Sequence, residues 1–140
     1  ADVLLKRATA VMDKLRQKND TAVVLITHDL GVIAQICDRV IVMYAGQIVE
    51  TSEVNALFSR PQHPYTKALL ESIPQPGPAH HQTRLPTIDG VVPSLFELPA
   101  GCRFQDRCAF EEDQCAREKP ALSKEANSRT VRCFFPRNES

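Results

Sequence analysis

The fold class of this 140-residue chain is decided by residues 22–29, which read AVVLITHD. The run from Ala22 to Ile26 is apolar at every position and rich in β-branched side chains. An apolar run of this length without alternation is typical of a strand that is buried on both faces of a parallel sheet. Thr27-His28-Asp29 then leads into an apolar stripe at helical spacing, so the stretch predicts a buried strand followed directly by a helix.

Elements of the same two kinds flank this stretch. Upstream, apolar residues recur on one helical face through residues 4–15. Downstream, the pattern predicts a helix over residues 29–37, a strand over 40–44, a turn at Ala45-Gly46 and a short antiparallel strand over 47–50. Helices and strands that alternate with short joints predict an α/β layer fold.

The second part of the chain is less regular. Ser52 is expected to cap a short helix through Phe58, and residues 61–73 to form one accessory amphipathic helix. All ten prolines lie from Pro61 onward, and residues 74–100 are interpreted as a Pro-rich linker and an extended segment. Because the chain starts inside a helical pattern and without a Met, we expect it to be a fragment of a longer protein.

Composition excludes several classes of protein. The 17 basic residues equal the 17 acidic ones, so neither a basic nucleic-acid-binding arm nor an acidic tail is present, and no nucleic-acid partner is expected. No apolar stretch approaches the roughly 18 residues of a membrane helix. The first residues also lack the three-part pattern of a secretion signal.

His28 is the first candidate site residue. Ligands collect at the carboxyl ends of strands in parallel α/β sheets, because the free N–H groups of helix N-termini point outward there. A histidine at this position can contact a phosphate oxygen from a rigid support. A single histidine at a strand end is more often a surface or capping residue, so the motif by itself leaves both interpretations open.

The context of His28 resembles a known family. Residues 24–30, VLITHDL, and 37–50, CDRVIVMYAGQIVE, are similar to the ATP-binding subunits of ABC transporters. The resemblance implies that residues 1–60 form the C-terminal part of the nucleotide-binding domain. It also implies that His28 is the switch histidine that contacts the γ-phosphate, and is therefore both a catalytic and a cofactor-binding residue.

The same resemblance shows what this stretch of chain does not carry. The family's P-loop, glutamine loop, signature segment and Asp–Glu pair for Mg²⁺ all precede the matched stretch. Asp2 cannot be assigned to the family's D-loop, since its spacing to His28 is about one residue short. Phosphoryl transfer needs a phosphate cradle and a metal site. ATP and Mg²⁺ are therefore cofactors of the complete domain, and the fragment alone is expected to be inactive.

Three further motifs narrow the family. Residues 60–70, RPQHPYTKALL, then 88–94, IDGVVPS, and 101–108, GCRFQDRC, are similar to the C-terminal extension of ABC subunits that import oligopeptides, dipeptides or nickel. The resemblance implies a second ATP-binding subunit, identical or a sister, together with two transmembrane permeases and, indirectly, an external peptide-binding protein. It also implies a peripheral position on the cytoplasmic face of the membrane. The transported substrate cannot be read from this chain.

The tail from residue 101 to 140 holds four of the five cysteines, spaced C-x5-C-x6-C-x17-C: Cys102, Cys108, Cys115 and Cys133. Two disulfides suit a secreted protein, and no secretion signal is present. Structural zinc usually takes closely paired cysteines, and an iron–sulfur cluster can take its ligands from wider loops. The spacing leaves these two open. The resemblance favours a [4Fe–4S] cluster, which some peptide-importer ATPases carry in this tail, with Zn²⁺ as the alternative.

Other residues were assigned roles around these cysteines. Nearby arginines either offset thiolate charge or form a solvated face: Arg103, Arg107, Arg117 and Arg132. Nearby phenylalanines are expected to shield the site from water: Phe104, Phe110, Phe134 and Phe135. Three histidines are spare candidates for ligands, and for the last two, which lie in the linker, exposure to solvent is the alternative: His63, His80 and His81. Cys37 stands apart on an apolar helix face, where we expect it to be a buried small hydrophobe.

The sequence therefore predicts an α/β fold, namely the C-terminal portion of an ABC-type nucleotide-binding domain with a small, irregular Cys-rich extension. Two alternatives from other classes stay open. One is a non-enzymatic regulatory module that binds an iron–sulfur cluster or zinc. The other, weaker, is a disulfide-stapled extracellular domain.

Overall fold

A computed structural model describes residues 10–12, 14–15, 18–19, 21–73 and 86–137. The chain divides into two compact units, residues 1–38 and 39–140. The start of the predicted first helix, most of the Pro-rich linker, Asp2, His80 and His81 lie outside the described residues. Within the described part, no helix is long and apolar enough to cross a membrane.

The first unit contains helix α1, Leu30–Ile36. Asp29 begins it as the N-cap, because its Oδ1 accepts a hydrogen bond from the Val32 backbone N–H at 3.1 Å. The predicted helix over 29–37 is therefore confirmed to within a residue at each end. Cys37 is the C-cap and only half-buried, so the expectation of a buried cysteine is wrong.

The predicted strand over residues 22–26 is not a strand in the structure. Residues 21–27 have no regular secondary structure, and the side chains of Val24 and Ile26 are 88% and 94% exposed. A strand of a parallel sheet exists only with neighbours that take up its backbone hydrogen bonds. No such neighbour pairs with this segment among the described residues, so its apolar side chains have nothing to pack against.

The second unit is built on an antiparallel hairpin. Strands β1, Arg39–Tyr44, and β2, Gln47–Glu53, pair with Tyr44 opposite Gln47. The connecting Ala45 and Gly46 have φ of 46° and 75°, which suits a tight two-residue hairpin turn. The predicted strand, turn and strand are thus confirmed, although β2 continues three residues further than predicted.

The sheet is completed by residues far along the chain. Two short strands, β3 at Ser123–Lys124 and β4 at Thr130–Val131, extend it in the order β1-β2-β4-β3, and all pairs are antiparallel. Glu50 lies opposite Val131 in this ladder. The tail therefore contributes two strands to the same sheet as the β1–β2 hairpin.

The second unit also contains short helices. They are α2 at Val54–Ser59, α3 at Pro64–Glu71, a 3-10 helix at Gln105–Arg107 and α4 at Asp113–Arg117. Ser52 was expected to cap α2, and this is wrong. It lies within β2 and is fully buried, and its Oγ has no hydrogen-bond partner in the described part of the chain. The architecture is a small mixed α/β unit.

The core lies on one face of the hairpin. Val40, Val42 and Tyr44 alternate inward along β1, whereas Ile41 and Met43 on the other face are 61% and 57% exposed. The remaining buried apolar side chains come from β2, α2, the loop before the 3-10 helix, α4 and β4: Val49, Leu57, Phe104, Cys115 and Val131. Cysteine-bearing segments thus share a core with the sheet.

Substituting Gly101 by alanine is expected to destabilise the second unit by about 1–3 kcal/mol. A Cβ at this position would overlap the backbone oxygen of Cys115 and lie 2.7 Å from that of Ala116, and rigid backbone cannot yield cheaply. Urea denaturation measures the change in the free energy of unfolding. The control is Gly31→Ala in α1, whose new Cβ meets only the Asp29 side chain, at 3.2 Å. Equal effects of the two variants would contradict this reason.

Candidate functional site

The four tail cysteines line one cleft. Its atom-free space is about 360 Å³, part of it open to solvent. All four phenylalanines that were expected to shield the cysteines line the same cleft, and so does His63. The complete lining is His63, Pro64, Cys102, Phe104, Gln105, Cys108, Phe110, Cys115, Pro120, Cys133, Phe134 and Phe135. The structure thus brings together four cysteines, of which the first and the last lie 31 positions apart in the sequence.

Backbone hydrogen bonds hold the cysteine-bearing segments in place. The Cys102 N–H donates to the Cys115 carbonyl at 2.8 Å, which joins the first segment to α4. The Cys108 N–H closes the 3-10 helix on the Gln105 carbonyl at 2.9 Å. The residue before Cys133 donates its N–H to the carbonyl of Val49 at 2.8 Å, which joins the last segment to β2. Each ligand candidate therefore rests on an ordered element.

Burial changes the acidity of the thiols. It raises the pKa of Cys102 and Cys108 above the ordinary value, and it raises the pKa of Cys133 to about 11. The neighbouring cysteines act in the same direction, since one thiolate disfavours the next. At neutral pH these three groups are therefore thiols in the metal-free chain. All five cysteines are free, and none forms a disulfide.

Within the ranges that the structure describes, no three or more His, Cys, Asp or Glu side chains are grouped so that they could hold a metal ion. The role of the four cysteines as metal ligands accordingly stays a prediction.

Three of the four arginines near the cysteines donate hydrogen bonds to backbone carbonyls. Arg107 donates to the backbone carbonyls of Ile88 and Asp89, both at 2.8 Å, and Arg132 donates to those of Ile48 and Pro120 at 2.8 and 3.1 Å. Arg103 likewise donates to a carbonyl, that of the turn residue Ala45. These guanidinium groups join distant loops to the hairpin. Arg117 forms an exposed ion pair with Asp113 within α4 and fits the solvated-face alternative.

The motif HPYT contributes the wall of the cleft. His63 is the N-cap of α3 and its Nδ1 accepts from the Tyr65 backbone N–H at 3.0 Å, while Pro64 occupies the first turn. The Tyr65 ring packs on the rings of Tyr44 and Phe104 at centroid distances of 4.8 and 5.4 Å. The motif therefore fixes one helix against the aromatic residue that lies between Cys102 and Cys108.

A buried ion pair next to the cleft was missed in the sequence. The Glu50 carboxylate is fully buried and pairs with Arg129 at 2.9 Å. It also accepts hydrogen bonds from the backbone N–H groups of Gln62 and His63, both at 2.9 Å. A charged residue beside Val49 in an apolar strand was the one local signal. Its partner lies 79 positions away, and no local pattern identifies it.

His28 belongs to the other compact unit. It lies on the bend before α1 and its side chain is exposed. On either side of it, Thr27 Oγ1 accepts a hydrogen bond from the Asp29 backbone N–H at 3.0 Å, and Asp29 caps the helix. The position at a helix start agrees with the expectation from the sequence, and the assigned catalytic role stays a prediction.

Mild acid is expected to lower the stability of the metal-free second unit through His63. Burial is the main cause that lowers the pKa of His63 to about 4, against the opposing effects of Glu50 and of a hydrogen bond to the Arg132 backbone. In the unfolded chain the imidazole takes up a proton near its ordinary pKa of about 6.5. Stability is therefore complete above pH 6.5 and falls by up to about 3 kcal/mol as the pH drops to about 4.

Urea denaturation of the metal-free chain at a series of pH values measures this loss. The matched variant is His63→Asn, whose side-chain oxygen can still accept from the Tyr65 N–H but does not titrate. The variant should lose much less stability between pH 6.5 and 4. The same slope in both proteins would show that other groups cause the loss.

Comparison with known proteins shows which family this chain resembles. Residues 49–115 match the family described as the oligopeptide/dipeptide transporter C-terminal region. This range includes the HPYT motif and three of the four cysteines of the cleft. Over these residues the chain is similar to that family.

Curated relatives are similar in sequence to this chain over most of its length. The dipeptide transport ATP-binding protein DppD of Escherichia coli is 43% identical over 127 residues, which is 91% of this chain and 38% of that protein. The oligopeptide transport ATP-binding protein AppD of Bacillus subtilis is 47% identical over 129 residues, 92% of this chain and 39% of that protein. A probable peptide ABC transporter ATP-binding protein, y4tR, of Sinorhizobium fredii is 50% identical over 120 residues, 86% and 36% respectively. The chain thus spans less than two fifths of the length of these relatives.

Proposed function

We propose that this chain is the C-terminal portion of an ATP-binding subunit that powers peptide import by an ABC transporter. The observation that carries the proposal is the 43–50% identity to three ATP-binding proteins of peptide transporters over about nine tenths of the chain. The complete subunit would bind ATP and Mg²⁺ and work as a dimer with an identical or sister subunit on two permeases. It would lie peripherally on the cytoplasmic face of the membrane and serve an external peptide-binding protein.

His28 is the residue of this chain that we propose to act on ATP. Its exposed side chain at the start of α1 supports the assignment, because a histidine held there can donate one hydrogen bond to a terminal phosphate oxygen. The nucleotide cradle and the metal-binding acids are expected in the part of the subunit outside this chain. The 140 residues alone should therefore not hydrolyse ATP.

The test uses the full-length subunit with the chain in its native context. The substitution His28→Ala should lower the rate of ATP hydrolysis by about 10²-fold or more while nucleotide still binds, since the lost contact is to the reacting phosphate. The control is Glu53→Gln, which changes an exposed residue that does not line the cleft and should keep most of the activity. A full-length protein that neither binds nor hydrolyses ATP would contradict the proposal and favour the non-enzymatic regulatory module.

We further propose that Cys102, Cys108, Cys115 and Cys133 hold a [4Fe–4S] cluster. Support comes from the convergence of four free cysteines on one cleft whose other walls are mainly aromatic and apolar. A single zinc ion needs every sulfur about 2.3 Å from one centre. An iron–sulfur cluster is larger and can take its ligands from wider loops, which suits cysteines that come from separate segments. Zn²⁺ is the alternative occupant.

The cluster would supply a cross-link rather than a reaction. The four cysteines come from three segments, and a shared inorganic group would tie them to one another and to the sheet. Because burial raises the pKa of at least three of the thiols, loading must displace their protons, and retention of the metal should weaken in acid. Phe104, Phe110, Phe134 and Phe135 would limit the access of water.

A further inference from the structure

His63 lies in the cleft of the four cysteines without being available as a ligand. It is 1% exposed and lines the same cavity. Its Nδ1 accepts the hydrogen bond of the Tyr65 N–H at 3.0 Å, and its ring is hydrogen-bonded to the backbone of Arg132. A neutral imidazole has one acceptor and one donor nitrogen, and here both are engaged. His63 is therefore not the spare metal ligand suggested by the sequence.

The hydrogen bond to Arg132 connects His63 to a cysteine segment. Arg132 directly precedes Cys133. Its backbone N–H donates a hydrogen bond to the Val49 carbonyl, and its guanidinium group donates to the carbonyls of Ile48 and Pro120. The backbone at this point is thus fixed from several directions. The imidazole is the contact that joins it to the start of α3.

The imidazole ring also touches a second cysteine segment. It packs on the Phe104 ring at a centroid distance of 5.9 Å, and Phe104 is 2% exposed and lies two residues after Cys102. The backbone N–H of His63 is held in turn by the buried carboxylate of Glu50 at 2.9 Å. One rigidly held side chain therefore contacts both the first and the last cysteine-bearing segments.

We propose that His63 is a positioning residue of the four-cysteine centre: through its hydrogen bond to the Arg132 backbone it fixes Cys133, and through Phe104 it fixes Cys102. The inference rests on the proposed [4Fe–4S] site. Groups that orient metal ligands without binding the metal commonly change metal retention by about 10–100-fold when they are removed. His63 should do so because its ring joins two ligand segments that are far apart in sequence.

Two amide variants separate this role from helix capping. In His63→Asn, the side-chain oxygen takes the place of Nδ1, which keeps the cap on α3 but removes the link to Arg132. In His63→Gln, the longer side chain brings an N–H to the place of Nε2, which keeps the link but removes the cap. Wild type and both variants, as full chains, are reconstituted anaerobically with ferrous iron and sulfide. Cluster loss to an iron chelator, the EPR spectrum of the reduced cluster and the melting temperature are then recorded.

We expect His63→Asn to lose the cluster about tenfold faster than wild type and to change the EPR spectrum. His63→Gln should resemble wild type in both, even if it melts at a lower temperature. Wild-type behaviour of both variants, or equal cluster loss in both that follows the melting temperature, would overturn the role of His63 and leave the cluster proposal standing. A wild-type chain that forms no cluster would overturn both.

Discussion

Cys108→Ser is expected to abolish metal binding by this chain. Anaerobically purified wild-type chain should be brown, with a broad visible band that bleaches on reduction and about four iron atoms per chain. A serine hydroxyl is a poor replacement for a thiolate, so the variant should be colourless and hold little iron. The loss should exceed that caused by a change to any cleft residue that is not a ligand, because three cysteines alone cannot complete the site.

The control for this prediction is Cys37→Ser. Cys37 is a free, half-buried cysteine at the C-cap of α1, outside the unit that contains the cleft. Its replacement should leave iron content and colour unchanged. Retention of full iron content in Cys108→Ser, or an equal loss in both variants, would contradict the assignment of Cys108 as a ligand.

Glu50→Gln is expected to cost about 3–5 kcal/mol of folding free energy, the second large effect. The substitution removes the buried carboxylate that pairs with Arg129, whose side chain is only 9% exposed, and so leaves a buried positive charge without this partner. It also places an amide N–H₂ where a carboxylate oxygen accepts hydrogen bonds from the Gln62 or His63 backbone. Urea denaturation of the metal-free chain measures the loss.

The matched control is Glu53→Gln at the end of the same strand. Glu53 is exposed and makes no side-chain hydrogen bond to the helix that it precedes. Its stability should change by less than about 0.5 kcal/mol, as is usual for surface positions. If Glu50→Gln were as mild as this control, the buried pair would not be what holds the segment at residues 60–63 to the sheet.

Local sequence signals were sufficient for the hairpin and for the starts of α1 and α3. The alternation along β1, the Ala45-Gly46 turn and the proline at position 64 each specify their structure through neighbours within a few residues. Asp29 caps α1 for the same reason. These elements could be predicted because the interactions that fix them are close in sequence.

Elements that depend on distant partners could not be predicted. β2 extends beyond its predicted end because Glu50 and Thr51 pair with Val131 and Thr130, about 80 residues later. Ser52 is consequently buried in a strand instead of capping a helix. The apolar run at residues 22–26 predicts a strand, but a parallel strand needs neighbours that the described residues do not include. A local apolar pattern indicates that a segment can form a strand, but the strand forms only when a neighbouring strand pairs with it.

The candidate site was predictable in its composition and not in its construction. Four cysteines in a proline-rich tail indicated a common centre, and the cleft brings them together with the four phenylalanines named from the sequence. The backbone contacts of the arginines could not be predicted, because nothing in the spacing indicates that Arg107 and Arg132 bind backbone carbonyls of remote loops. The Glu50–Arg129 pair and the position of His63 required three-dimensional contacts.

Native mass spectrometry of the anaerobically purified chain is the most direct test of the cluster at the centre of this account. The added mass should equal that of one [4Fe–4S] unit, and alkylation of the native holoprotein should reach Cys37 while sparing the four cysteines of the cleft. A chain that carries only the mass of one zinc ion, or that carries no metal and alkylates at all five cysteines, would contradict the account.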